Sequence, residues 1–272
     1  MKKFLAVLLL SLVVSSSAWA GGIETTTLFD RKSNPDTSIL VGADAEQKAK
    51  YFPDGKMSGN VLAFLVKIKG REILFDAGLP DGHIAEELKK NGLAAGDVKT
   101  ILLTHLHRDH YGGLVDADGK AAFPNAEVYV SRAERAYWVD EKKDPNVIRA
   151  LEQYAGRVQV FEPGDKVMPG VKALDTSGHT PGHVSFLLKS GKDKLLVIGD
   201  LIHFSRIQLP LPEVAVKYDV DPAKAVQARK RIFDFACEKR IPMAGMHVPF
   251  PGMLNLKKAG AGYEEYLIPA PL

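Results

Sequence analysis

The chain has 272 residues, 46% of them hydrophobic, with 36 Lys and Arg against 33 Asp and Glu. That length suits one large domain or two closely packed halves, and a formal charge of +3 offers no basic face for nucleic acid. The single cysteine, Cys237, has no internal partner, so no disulfide staples the fold. It sits among Ile232, Phe233 and Ala236 in a predicted helix, the setting of a buried rather than a reactive thiol.

The chain opens Met1-Lys2-Lys3, continues in an apolar run from Phe4 to Val14, and reaches Ala18-Trp19-Ala20. A positive start, a short apolar core and an Ala-x-Ala site make a secretory signal peptide cleaved after Ala20. The run is shorter than the roughly 20 residues of a membrane helix. We therefore expect export, to the periplasm or the medium, with no stable membrane span after cleavage and a single domain over residues 21–272. Loss of Lys2 and Lys3 takes the formal charge from +3 to +1.

Ile23 to Leu40 carries short β-type runs with a turn at Ser33-Asn34-Pro35-Asp36. Tyr51-Phe52-Pro53-Asp54-Gly55 reads as a loop whose aromatics either pack inward or line a pocket. Val61–Ile68 and Arg71–Ala77 form a predicted hairpin around Lys69-Gly70. Ile84–Asn91 is an amphipathic helix stopped by Gly92. After a strand at Ala126–Val130, Ser131 and Glu134 make a capping box for a helix carrying Tyr137 and Trp138. A helix over Pro145–Tyr154 precedes strands at Val158–Phe161, Val171–Leu174, Val184–Leu188 and Lys194–Ile198. Pro222–Lys239 is a long helix entered from Asp221, and Asn255–Leu272 is a short strand-like tail. The irregular alternation of strands and helices implies α/β layers rather than a simple wound sheet.

The chemistry concentrates in Thr104-His105-Leu106-His107-Arg108-Asp109-His110, directly after the apolar run Ile101-Leu102-Leu103. Imidazole and carboxylate are the ligands of catalytic zinc sites. Alternate residues of an extended segment point the same way, so His105 and His107 can grip one ion, while Asp109 and His110, past the bend, can reach a second. His179 and His183 lie in a rigid Ser177-Gly178-His179-Thr180-Pro181-Gly182-His183 turn, where one should ligate and the other support. Asp200 follows a strand and Gly199, placed to bridge two cations, and His247 follows another short apolar run. Asp76, just beyond a buried strand, is either a turn former or a group orienting a metal ligand.

These motifs resemble the metallo-β-lactamase-fold hydrolase superfamily: His-x-His-x-Asp-His, Gly-His-Thr-Pro-Gly-His, Gly-Asp and a late His, from about Val61 to His247. The resemblance implies an αββα sandwich of two central mixed sheets with helices outside and a dinuclear site at one edge. It makes His105, His107 and His179 the ligands of one metal, Asp109, His110 and His247 those of the other, and Asp200 the bridge, with His183 behind them. Two zinc ions are implied, manganese or iron being acceptable to such ligands. Asp109 and Asp200 become the catalytic carboxylates, since a shared water acidified to a pKa of about 7 is the nucleophile. No Gly-x-Ser-x-Gly elbow competes with that reading. The chain is most similar to the exported methyl parathion hydrolase-like and lactonase-like branch. The expectation is a hydrolase for small ester, lactone or organophosphate substrates, with a pocket drawing on Trp138, Tyr137, Phe204 and Phe250 and with His203 in reach of a leaving group. The alternatives are a glyoxalase II-like thioesterase, a β-lactamase, or a secreted metal-binding protein without chemistry, which would not need the bridging Asp200.

Overall fold

The computed structural model describes residues 22–266 and the backbone of residues 18 and 19. The signal-peptide reading thus lies almost wholly outside the described residues, as does the end of the tail. Among the described residues no helix is long and apolar enough to cross a membrane.

Two sheets stack face to face. The first contains β1 (Ile23–Ser33), β2 (Gly59–Ile68), β3 (Arg71–Phe75), β4 (Thr100–Leu102), β5 (Glu127–Ser131) and β6 (Val158–Phe161) in that spatial order, with a two-residue ribbon at Ala18–Trp19 beside β1. The second contains β7 (Lys166–Met168), β8 (Val171–Asp175), β9 (Val184–Ser190), β10 (Asp193–Val197), β11 (Met243–Ala244) and β12 (Met253–Leu254), in the reverse spatial order. Both are mixed: β3 to β6 run parallel in the first, and β10 and β11 are the parallel pair of the second. The helices are α1 (Ala45–Tyr51), α2 (Ile84–Lys90), α3 (Arg108–Tyr111), α4 (Arg132–Arg135), α5 (Pro145–Glu152), α6 (Ser205–Gln208) and α7 (Pro222–Lys239).

The layering follows from the period-2 alternation of side chains along a strand. On β3, Ile73 and Phe75 enter the core between the sheets, where they meet Phe186 and Val197, while Leu74 joins Leu88 of α2 and Val147 and Leu151 of α5 on the outer side. On β10, Leu195 and Val197 point inward and Leu196 packs against Ile232, Phe233 and Ala236 of α7. Strands buried on both faces must be apolar throughout, which is why these segments read as continuous apolar runs. Burial of each such side chain stabilises the fold by about 1.5–3 kcal/mol. The αββα arrangement is as expected.

Four local features add to or depart from the sequence reading. Residues 23–33 form one long strand, and a bulge between Phe29 and Arg31 turns Asp30 inward. α1 precedes the Tyr51–Gly55 loop and is fixed by a capping box between Asp44 and Gln47; Phe52 then packs inward against Leu40, Met57 and Phe204. Cys237 is half-buried, and burial raises its thiol above the ordinary range. The tail folds back as a hairpin, Leu256–Ala259 with Gly262–Glu265.

Asp30 is buried and its carboxylate accepts the backbone N–H groups of Leu79 and His83, holding the loop that runs past Asp76. Replacing it by alanine leaves two loop donors unpaired. We expect Asp30→Ala to destabilise the protein by about 2–4 kcal/mol, read from the urea midpoint; a change below about 0.5 kcal/mol would mean that water satisfies the loop.

Candidate metal centre and cavity

The C-terminal ends of β3 and β4 in one sheet and of β10 and β11 in the other open on the same edge of the sandwich. Asp76 follows β3, Thr104 and His105 follow β4, Asp200 follows β10 and His247 follows β11. Bonds between the sheets lock these ends, from Val184 N–H to Thr104 O at 3.0 Å and from Leu62 N–H to Met246 O at 3.0 Å. His179 and His183 come from the turn joining β8 to β9, two antiparallel neighbours.

The seven residues expected as ligands converge. His107 Nδ1 lies 3.0 Å from His105 Nε2 and 2.9 Å from His179 Nε2. Asp200 Oδ2 lies 3.2 Å from His179 Nε2 and 3.6 Å from His105 Nε2, completing a group of four. Asp109, His110 and His247 form a second group, with Asp109 oxygens 3.7 Å and 3.4 Å from the inner nitrogens of the two rings. Asp200 faces both: Oδ1 is 3.2 Å from His110 Nε2 and Oδ2 is 3.1 Å from His247 Nε2. His203 Nε2 also lies 3.1 Å from Asp200 Oδ2, and its ring stacks on that of His247 at 4.9 Å.

The outer ring nitrogens decide what the inner ones present. His247 Nδ1 donates to the carbonyl of Asn60 at 2.6 Å. His179 Nδ1 donates to Asp219 and His110 Nδ1 to Asp76, each at 2.7 Å. Thr104 gives its hydroxyl proton to Asp76 and so accepts from His105 Nδ1 at 3.1 Å. In the neutral form each of these rings turns a bare lone pair inward, the tautomer a metal ligand needs. Lone pairs 2.9–3.0 Å apart repel unless a cation or a proton lies between them. His110 Nε2 and Asp200 Oδ1 are buried and face each other at 3.2 Å without another hydrogen-bond partner, an arrangement that a proton or a cation between them relieves. The residues fit two divalent cations.

Electrostatics point the same way. Burial opposes the charge of Asp200, yet His110, His247, His203 and His105 hold its carboxyl well below the usual range. Burial also opposes charging His110, but Asp200, Asp109 and Asp76 drive it well above its ordinary value. His179 is pushed up to about 9 against its burial, by Asp200 and Asp219 at its two nitrogens. Burial brings His107 down to about 3. The carboxylates thus create a negative well that collects positive charge.

His183 stands behind the ligands. Its Nδ1 donates to Thr176 O at 3.1 Å and its Nε2 accepts the N–H of Asp200 at 3.0 Å, so both nitrogens are spent. Burial, with the charge of His179, holds it down to about 3. A side chain on Gly199 would lie 2.6 Å from His183 Nε2 and 2.9 Å from Thr104 Cβ, and its φ is +54°; glycine alone lets this close approach occur. Asp76, itself at φ +60°, accepts from Thr104 N–H, the Thr104 hydroxyl and His110, fastening the loop to β3.

The expected capping box at Ser131 does not form. Ser131 Oγ does accept the Glu134 N–H, but the Glu134 carboxylate is buried and turned away from it. It accepts Leu106 N–H at 2.9 Å, Trp138 Nε1–H at 2.6 Å, the Thr180 hydroxyl at 2.6 Å and Gly182 N–H at 3.0 Å. Tertiary donors outbid the local one because the turn carrying Gly182 is pressed onto α4: a Cβ there would sit 2.0 Å from Glu134 N. One carboxylate therefore ties the His105–His110 loop to the His179–His183 turn.

A cavity of about 580 Å³ opens over the cluster, the size of a small-molecule site. Val61, Pro35, Phe204 and Tyr218 supply its apolar wall, and His107, Asp109, His179, Asp200, His203 and His247 its floor. Of the expected pocket aromatics only Phe204 lines it. Trp138 lies behind His107, ring centroids 5.6 Å apart, and Phe250 packs edge-on against Phe29. Tyr218 and Asp219 have no counterpart in the sequence reading; Asp219 is one of two aspartates just before α7, of which Asp221 is the helix cap, and no spacing marks which of them reaches a histidine.

A cluster with these tautomers at the open edge of an αββα sandwich defines a metallohydrolase fold, and residues 58–251 match the model of the Metallo-beta-lactamase superfamily. The chain belongs to that superfamily. It is 27% identical to an N-acyl homoserine lactonase of Bacillus cereus over 54% of this chain and 65% of that protein. It is 28% identical to a probable metallo-hydrolase of Bacillus subtilis (strain 168) over 57% of this chain and 71% of that one. The matches thus span about three-fifths of the length of the first Bacillus lactonases. Among solved structures, the hydrolase AbOPH of the beta lactamase superfamily shares 32% identity at a TM-score of 0.84, over 93% of this chain and 97% of that one. AidC, a dizinc quorum-quenching lactonase seen with the product N-hexanoyl-L-homoserine, shares 25% identity, also at 0.84, over 93% and 96%.

Glu134→Gln puts an amide N–H₂ against at least one of the four donors. We expect a loss of about 2–3 kcal/mol in chemical denaturation; an unchanged midpoint would mean that the four bonds do not hold the two loops together.

Proposed function

We propose that this protein is an exported dinuclear zinc hydrolase that opens lactones and cleaves activated esters and organophosphate triesters. The observation that carries it is Asp200, whose two oxygens face both groups of inward imidazoles. Two divalent cations held by these residues would supply an acidified water and an electrophile for a carbonyl or phosphoryl oxygen. The chain's part is to fix geometry. Asn60, Asp76, Thr104 and Asp219 orient the rings, and His183 pins the backbone of Asp200. Asp109, whose side chain is 28% exposed while that of Asp200 is 3% exposed, is the more accessible of the two carboxylates lining the cavity and the one a bound substrate would meet first. Phe204 and Tyr218 offer apolar surface for an acyl or aryl group and help to exclude water.

Zinc suits this donor set, nitrogen-rich with carboxylate oxygens, and a dizinc structural relative supports it. The product bound to AidC and the Bacillus lactonase relatives favour lactones as the substrate class. On the same ground β-lactams rank below them. Export rests on the pattern of residues 1–20.

Close to two zinc ions should bind per chain, and Asp200→Ala should lower kcat/KM by about 100-fold or more while loosening at least one ion. Elemental analysis finding no stoichiometric transition metal would overturn the metal reading. The second test compares kcat/KM for a medium-chain lactone, an aryl ester, a phosphotriester and a cephalosporin under zinc saturation. A cephalosporin preferred by tenfold, about 1.4 kcal/mol in transition-state binding, would place the protein in another branch.

A further inference from the structure

Arg229 of α7 is 0% exposed and is the bulkiest of the fully buried side chains. Among the described residues no carboxylate forms an ion pair with it. Its Nε donates to Leu201 O, and its Nη1 donates to Pro212 O at 2.8 Å and to Val214 O at 2.7 Å. Burial pushes the guanidinium down to about 10, with the fields of Asp219 and Glu213 opposing, so it stays charged at neutral pH. Shutting a charge away from water costs several kcal/mol, and ordinary packing of α7 would be better served by an apolar side chain of similar volume.

The three carbonyls share one property: they lie on the segment between two carboxylates of the site. Leu201 follows Asp200. Pro212 and Val214 lead to Val216, whose N–H donates to Asp219 Oδ2 at 3.0 Å, while Asp219 Oδ1 holds His179. Gln208, also fully buried, completes the lock: its Oε1 accepts the N–H groups of His203 and Phe204, and its Nε2 donates to the same Val214 O at 2.9 Å. We propose that Arg229 is a positioning residue of the metal centre, its planar fork setting the spacing between Asp200 and the Asp219–His179 pair. This rests on the metallohydrolase reading of the site. Lysine, a single flexible donor group, cannot hold three carbonyls in one plane.

The test uses Arg229→Lys and Arg229→Ala in the full chain, with folding checked by circular dichroism. In the metal-free protein, ¹H–¹⁵N NMR reads the His179 Nδ1 proton bonded to Asp219, assigned by its disappearance in Asp219→Asn. In the cobalt-loaded protein, the visible spectrum and cobalt affinity read the ligand geometry. We expect the His179 proton to shift or vanish in both folded variants. Cobalt should bind about tenfold more weakly, the lower end of what loss of outer-shell support does, with methylguanidinium restoring the Arg229→Ala spectrum in part. A folded Arg229→Lys with the wild-type proton and spectrum overturns the proposal. So does a failure of both variants to fold, since Arg229 would then serve stability alone. If the wild type binds no cobalt, the metal reading fails by itself, and the His179 proton in the metal-free chain still decides the role of Arg229.

Discussion

Everything in this structure answers to one constraint: several imidazole nitrogens must be held within about 3 Å of one another with their lone pairs facing inward. Left alone, such rings would turn toward water or swap tautomers. Four of them are denied that freedom by an acceptor on the outer nitrogen: a backbone carbonyl for His247, a carboxylate for His110 and His179, a threonine oxygen for His105; His107 is backed instead by the ring of Trp138. The acceptors belong to four different parts of the chain. The site is therefore a product of the whole fold and not of the histidine-rich loop that supplies four of its residues.

The sandwich provides the rigidity. Parallel strands in each sheet end on one edge, and residues just beyond those ends carry the chemistry, as open sheets generally arrange it. The core between the sheets keeps the two edges in register, and buried polar hubs stitch the loops that rise from them. Asp76, Glu134 and Arg229 each gather several donors or acceptors from segments far apart in sequence. Each is a charge kept from water, and each is tolerable because several hydrogen bonds stand in for its hydration. The buried atoms of this cluster that remain incomplete, His110 Nε2, Asp200 Oδ1 and His203 Nδ1, lie where the ligands converge.

Membership of the superfamily fixes the architecture and the chemistry the site can host, while the walls of the cavity decide what enters. The floor is shared ground for many hydrolytic reactions. Phe204, Tyr218 and Val61 form much of the apolar wall, and they come from the segment after Asp200, the run before α7 and the start of β2. Two of the three stand in one stretch that Arg229 and Gln208 hold in place, so the shape of the cavity and the geometry of the metal centre are mechanically linked.

The sequence by itself determined the layers and most element boundaries and brought the histidines and carboxylates of the cluster forward as candidates, while leaving open which of His179 and His183 faces inward. Apolar runs of strand length, glycine stops and a histidine-carboxylate spacing are local properties, and local properties survive in a one-dimensional text. Pro222–Lys239 is read to the residue because Asp221 and Pro222 mark its start by short-range bonding. What only the tertiary structure decided are the partners that orient the site. Glu134 has the spacing of a capping box, yet it bonds to residues 28 to 48 positions away. Asp219 is one acid among several until the turn carrying His179 is laid beside it, and Arg229 looks like one more helix cation in a basic stretch. Phe250 lies close to His247 in the sequence but packs against Phe29, and Trp138 stands behind His107 and does not line the cavity, because which face of a segment looks into a cavity depends on what packs behind it. The physical reason is the same each time: a buried polar group takes whatever partner the folded chain brings within 3 Å, and that distance is set by the packing of whole layers and not by neighbours along the chain.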